Sequence, residues 1–148
     1  MKIIASIEIT APVSKVFELF TDLRKIEENV SGIKSIEVLD GPAKMAIGTK
    51  WKETRVMLGK EASEVMTVSD IHNNLSYDVV AASHGMEYKS SYVFKEANNV
   101  TSVEMIFAGI PKSFMSKLFT PVGYLFKGAT KKTLVADMKE LKIAAENS

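Results

Sequence analysis

The chain has no cysteine, which excludes a disulfide framework, a thiolate nucleophile and any cysteine-based metal site, and fits a cytoplasmic protein. Only two histidines are present, His72 and His84, and both fall in stretches that read as turns. Neither a metal nor another cofactor is expected. An excess of one charge is missing too: 19 basic against 18 acidic residues leave a formal charge of +1. No overall field draws the chain to phosphate backbones, so nucleic acid is not an expected partner. No apolar run approaches the roughly 20 residues that cross a bilayer, so stable membrane insertion is not expected. Met1-Lys2-Ile3-Ile4-Ala5 resembles the start of a secretory leader, but Ser6, Glu8 and Thr10 interrupt it, and the segment reads as mature structure. A nucleophile elbow, a phosphate-binding glycine loop and a dinucleotide fingerprint are all absent; Gly41, Gly48 and Gly59 stand as isolated turn glycines. No catalytic residue is assigned.

What is present is enough apolar material for one core: 46% hydrophobic residues in a chain of 148, read as one domain over residues 1–148. Ile3, Ala5, Ile7 and Ile9 alternate with polar residues, the period of a half-buried strand. Thr10-Ala11-Pro12 offers a cap and a first-turn proline, and Val13, Val16, Phe17 and Phe20 then recur at helical spacing up to Asp22. A second short helix is expected from Leu23 to about Asn29, ended by Gly32, before a strand from Ile33 to Leu39. Five more strand-like runs follow, Thr49 to Leu58, Glu61 to Ile71, Leu75 to Ser83, Met86 to Lys95 and Val100 to Ala108. The turns between them, such as His72-Asn73-Asn74 and Ala97-Asn98-Asn99, are short enough for antiparallel hairpins. Pro111 marks the way out of the last strand.

From Ser113 to about Glu146 the pattern is helical. At about 100° per residue, Phe114, Leu118, Val122 and Leu125 fall with Met115, Phe119 and Phe126 in one arc, while Leu134, Met138, Leu141 and Ala145 centre roughly 150° further round. The stripe changes face near Gly128-Ala129-Thr130, and Pro121 removes a helical hydrogen bond. The class is therefore α+β: a curved antiparallel sheet of about seven strands around a long C-terminal helix, with two short helices after the first strand.

This order of elements, with the segment Gly48-Thr49-Lys50-Trp51-Lys52-Glu53-Thr54-Arg55-Val56-Met57-Leu58-Gly59-Lys60-Glu61 and the strand that runs into Ala11-Pro12-Val13-Ser14-Lys15-Val16-Phe17, resembles the SRPBCC or START-like superfamily. That group includes the polyketide cyclase and dehydrase family, and its fold is called helix-grip. The resemblance covers essentially the whole chain. It implies a deep cavity between sheet and C-terminal helix that holds a lipid, sterol, polyketide or other apolar molecule. Relatives include enzymes, carriers, receptors and co-chaperones, so fold alone does not choose among them.

Strand alternation turns Trp51, Glu53, Arg55 and Met57 to one face, taken as inward, with Ala62, Glu64, Met66 and Val68 on the same face of the next strand. Glu53 or Glu64 then lies near Arg55, since a buried carboxylate needs such a partner. The bland reading is a structural ion pair. The sharper one makes Arg55 with Glu64 the polar end of an apolar pocket. Tyr77, Tyr88 and Tyr92 offer rings with polar tips, and Phe107 shares a face with Val103 and Met105. The expected ligand-binding set is Trp51, Glu53, Arg55, Met57, Glu64, Met66, Tyr77, Tyr88, Tyr92, Phe107, Phe114, Leu118, Val122 and Phe126. Lys127, Lys131 and Lys132 form a small basic patch, read as a solvated helix face.

The first functional expectation is binding, transport or sensing of a small hydrophobic molecule. The first alternative is a metal-free cyclase or dehydratase in which Arg55, Glu64 and a tyrosine act on an enclosed substrate. The second is a co-chaperone-like or regulatory domain whose Phe114 to Phe126 stripe meets a protein partner. Assembly as a homodimer is left open.

Overall fold

The computed structural model describes residues 2–57, 59–83, 86–111 and 127–148. Strand β1 (Lys2–Ile9) leads into helices α1 (Val13–Thr21) and α2 (Leu23–Asn29). Strands β2 (Ile33–Asp40), β3 (Lys50–Met57), β4 (Lys60–His72), β5 (Ser76–Ser83), β6 (Met86–Ala97) and β7 (Val100–Pro111) follow, and helix α3 (Lys127–Glu146) ends the chain. All seven strands form one antiparallel sheet in the order β1-β7-β6-β5-β4-β3-β2. The two short helices carry the chain from one sheet edge to the other. Register shifts between Ile33 and Ser35, Val38 and Asp40, and Val68 and Asp70 mark irregularities that bend a sheet.

Turn chemistry explains the meander. In the β6–β7 hairpin Ala97 pairs with Val100, and both intervening residues take positive φ, 54° at Asn98 and 63° at Asn99. That backbone matches the twist of the flanking strands and suits asparagine, whose short amide tolerates the left-handed region. Two expectations need correction. Thr10 does not cap α1; Pro12 occupies the N-cap position, and the Glu96 carboxylate from β6 accepts the Val13 amide at 2.7 Å. An acidic group at a helix N-terminus satisfies an orphan donor and complements the helix dipole, and here it comes from far along the chain. His72, read as a turn residue, instead ends β4, exposed and beside Asp70.

The inward face of the sheet and the helices divide the interior in two. Towards the Asn98-Asn99 hairpin lies a packed core of Ile9, Val16, Phe17, Phe94, Val103 and Met105, with Ala145 of α3. Phe17 meets Phe94 edge-on at 5.0 Å between centroids. Leu141, Met138 and Ala145 are buried as the second helical stripe required, and Leu134 packs against them half-buried. The Phe114 to Phe126 half of the expected helix lies outside the described residues. Met105 is fully buried among tightly packed neighbours, so Met105→Ala is expected to lower unfolding stability by about 2–5 kcal/mol in urea denaturation. A change below about 1 kcal/mol would show that this end is not the packed one.

Candidate functional site

Away from that core the same strands diverge from α3, and a cavity of about 420 Å³ opens between them. Alternation decides the wall. On β6, Phe94 is core, while Tyr92, Ser90 and Tyr88 line the cavity; on β7, Val103 and Met105 are core, while Phe107 lines it. Ser90 pairs across the sheet with Val79 on one side and Phe107 on the other, so a small residue sits where a large one would fill the space.

Of the expected set, Trp51, Glu53, Arg55, Glu64, Met66, Tyr77, Tyr88, Tyr92 and Phe107 all line this cavity. Met57 lies on β3, but its side chain is outside the described residues, as are Phe114, Leu118, Val122 and Phe126. The basis of the protein-interaction alternative, the Phe114 to Phe126 stripe, is therefore not described. Lys131 and Lys132 are exposed, as a solvated face requires.

The aromatic walls are ordered by one another. Tyr77 and Tyr92 stack at 4.5 Å with planes 10° apart, Phe20 meets Tyr92 edge-on at 6.1 Å, and Tyr88 stacks on Phe107 at 5.6 Å. The Tyr77 hydroxyl donates to the Phe20 carbonyl oxygen at 3.3 Å, tying the sheet to α1. Burial raises the pKa of both Tyr77 and Tyr92 above the ordinary tyrosine value, and the nearby Glu53 charge adds to it. Both rings stay neutral at physiological pH.

The polar end corrects the expected pairing. Arg55 does not pair with Glu64. Its Nε donates to Glu53 Oε2 at 2.7 Å, and its Nη1 and Nη2 donate to Asp137 Oδ1 and Oδ2 at 3.3 and 2.6 Å. Trp51 Nε1 donates to the other Glu53 oxygen at 3.4 Å. Glu53 faces Glu64 directly across the β3–β4 pair, whereas Arg55 faces Ala62. Glu64 lies close enough to Tyr88 that its charge, after burial, helps to raise that phenol's pKa. Gly32 makes room for the guanidinium: a Cβ there would stand 3.3 Å from Nη1.

The side chains of Arg55, Glu53 and Asp137 are 20%, 8% and 16% exposed, so their charges act on one another with little screening. Burial works against the Arg55 charge, but the hydrogen bonds and charges of Asp137 and Glu53 outweigh it and hold the guanidinium firmly protonated. Asp137 goes the other way from an ordinary ion-paired acid. Burial lifts its pKa, the Arg55 hydrogen bond only partly offsets this, and Glu53 and Glu140 push it further up. Two carboxylates sharing one cation leave one negative charge over.

Asp137 escaped the sequence reading, as did Phe20, Ile26, Val30, Ile33, Met45 and the α3 residues Thr130 and Thr133, all on the wall. For Asp137 a signal was available. It stands three residues after Leu134 and four before Leu141, on the apolar stripe itself, where a carboxylate requires a partner. Among the described residues no group of three or more His, Cys, Asp or Glu side chains could hold a metal ion, and no helix is long and apolar enough to cross a membrane.

Removing the shared cation strands two carboxylates, so Arg55→Gln is expected to cost about 3 kcal/mol at neutral pH by urea denaturation. Asp137→Asn tests the direction of the aspartate shift. A carboxyl whose folded pKa is raised contributes stability that is fully present below its unfolded pKa and lost as pH rises through the folded value. The deficit of Asp137→Asn relative to the parent should therefore shrink from acid towards neutral pH. A deficit that grows with pH would mean that the carboxyl is held below its ordinary range.

A model of the family described as polyketide cyclase/dehydrase and lipid transport matches residues 1–146. No curated protein matches the sequence. Among solved structures, an aromatase/cyclase from a Streptomyces strain superposes with a TM-score of 0.82 over 99% of this chain and 93% of its own, at 9% identity. A START superfamily protein from Mycobacterium smegmatis gives 0.78 over 99% and 97%, at 13% identity. A conserved protein from Geobacillus kaustophilus gives 0.77 over 100% and 97%, also at 13%. At such identities the likeness is one of fold, the helix-grip arrangement of a curved sheet around a C-terminal helix. The family match, spanning all but the last two residues, goes further: the chain belongs to the polyketide cyclase/dehydrase and lipid transport family.

Proposed function

We propose that this protein binds one small apolar molecule between the sheet and α3, and carries or senses it. The observation that carries the reading is the cavity itself. Its volume of about 420 Å³ lies in the range of sites that enclose drug-sized ligands, and its wall is mostly apolar and aromatic with polar groups gathered at one end. An interior of close-packed side chains does not leave such a space without forgoing contacts. Family membership supports the same reading, since lipid transport stands in the family's own description.

A cyclase or dehydratase is the second reading, supported by the aromatase/cyclase with the same fold and by Arg55, Glu64 and Tyr88 on one wall. It ranks lower because Arg55 spends its Nε and both terminal nitrogens on protein carboxylates. A guanidinium so engaged positions side chains more readily than it polarises a substrate.

Ser90→Phe places a ring in the empty centre of the wall. The parent protein should enhance the fluorescence of the neutral probe N-phenyl-1-naphthylamine, and Ser90→Phe should lose at least about tenfold in affinity while keeping its circular dichroism and thermal unfolding. Native mass spectrometry with organic extraction of the purified parent should show a co-purifying apolar adduct that the variant lacks. Equal probe binding by a folded Ser90→Phe would remove the cavity from the account.

A further inference from the structure

The charge and wall chemistry of the cavity discriminate among apolar ligands, and this step rests on the binding reading above. Among the described residues Arg55 is the cation at the polar end, and Glu53 and Asp137 both hold it. An incoming carboxylate would be the third anion around one guanidinium and would have to displace Asp137 from a bidentate contact at 3.3 and 2.6 Å. Bidentate guanidinium–carboxylate pairs are among the strongest charge-assisted contacts. Among the described residues no buried side-chain nitrogen or oxygen is left without a hydrogen-bond partner. A ligand anion would therefore exchange a good contact for one of the same kind and add repulsion.

A cation meets the opposite situation. An ionised carboxylate has roughly four acceptor sites. Glu53 accepts from Trp51 and Arg55, and Asp137 accepts two bonds from Arg55. Acceptor capacity remains on both, and the pair carries one negative charge in excess of its guanidinium. Burial of an ammonium is tolerable only against such a partner. The neighbouring wall is rich in aromatic rings, which suit a cation wherever a face is open to the cavity. Trp51, Phe20, Tyr77, Tyr88, Tyr92 and Phe107 line the same space, and aromatic faces attract cations through their ring quadrupoles. Burial is the main cause of the raised pKa of Asp137, and the Glu53 and Glu140 charges add to it.

We propose that the cavity selects apolar molecules bearing a protonated amine, or failing that a neutral hydrogen-bond donor, and discriminates against fatty-acid-like anions, with Glu53 and Asp137 as the specificity-determining pair. Chain length and ring content are left to the apolar wall. The selecting chemistry is an ammonium group on an apolar body.

Displacement of N-phenyl-1-naphthylamine by decylamine, decanol and decanoate at pH 7, each below its micelle concentration, reads this directly. Decylamine should bind at least about tenfold more tightly than decanoate, with decanol between them. Asp137→Asn, and separately Glu53→Gln, should narrow the amine-to-carboxylate ratio at least about threefold. An amine preference smaller than this, a preference for decanoate, or a ratio that neither variant moves would overturn the proposal and leave the cavity reading intact. If either variant fails to fold, the other and the parent series still decide. Failure of all three compounds to displace a probe that does bind would also overturn it. Failure of the probe itself to bind would instead strike the binding reading on which it rests.

Discussion

A guanidinium held between sheet and C-terminal helix sets the polar end of the cavity. Arg55 reaches from β3 to Asp137 on α3 and is steadied along its own strand by Glu53. Sheet and helix have to be held at a fixed separation here, because the side chains between them do not fill the gap. Apolar packing cannot do that, since it draws surfaces together until no space remains. A bidentate ion pair can, because its length is set by hydrogen-bond geometry rather than by closeness of approach. Ser31 adds a second tether nearby, with its amide and hydroxyl both donating to Glu140. Gly32 keeps the approach clear for Arg55.

How much of this was legible in the sequence differs between strands and helix. A strand's two-residue period states its inward face directly, so Trp51, Glu53, Met66, Tyr77, Tyr88, Tyr92 and Phe107 could be placed from spacing alone, and all of them reach one wall. The β6–β7 turn was equally plain, because Asn98 and Asn99 tolerate the left-handed backbone that the connection needs. Residues from the short helices and the β2 start, such as Phe20, Ile26, Val30 and Ile33, were not legible as wall residues. Their positions depend on how α1 and α2 lie across the sheet, which is a property of tertiary packing and not of local period. Of the two carboxylates placed near Arg55, Glu53 pairs with it and Glu64 does not, and the second partner, Asp137, was missed for the same reason. Glu64 is close in the hairpin register, while Asp137 is 82 residues away and becomes a neighbour only when α3 docks. The cap of α1 by Glu96, 83 residues from the amide it accepts, belongs with it.

The polarity of the wall also follows from where each strand stops being core. Along β6 the inward residues run Phe94, Tyr92, Ser90, Tyr88, and along β7 they run Val103, Met105, Phe107, passing from fully buried to lining. Large rigid rings at the boundary serve both sides. Tyr77 packs against Phe17 and Phe94 on the core side and stacks on Tyr92 towards the cavity. The tyrosine rings are thereby ordered by one another, and the Tyr77 hydroxyl by the Phe20 carbonyl, so the wall is preorganised.

That division has an energetic consequence. Space of about 420 Å³ is volume that side chains could otherwise pack, and a typical domain has only about 5–15 kcal/mol of net stability from which to forgo such contacts. The core around Phe17, Phe94, Val103 and Met105 is continuous with the cavity wall through Phe20, Tyr77 and Trp51, so close packing at one end supports the open space at the other. A molecule that fills the cavity restores some of those contacts in the folded state alone, so occupancy and stability are thermodynamically linked. On the binding reading, the wall residues that forgo close packing are the same ones a ligand would meet.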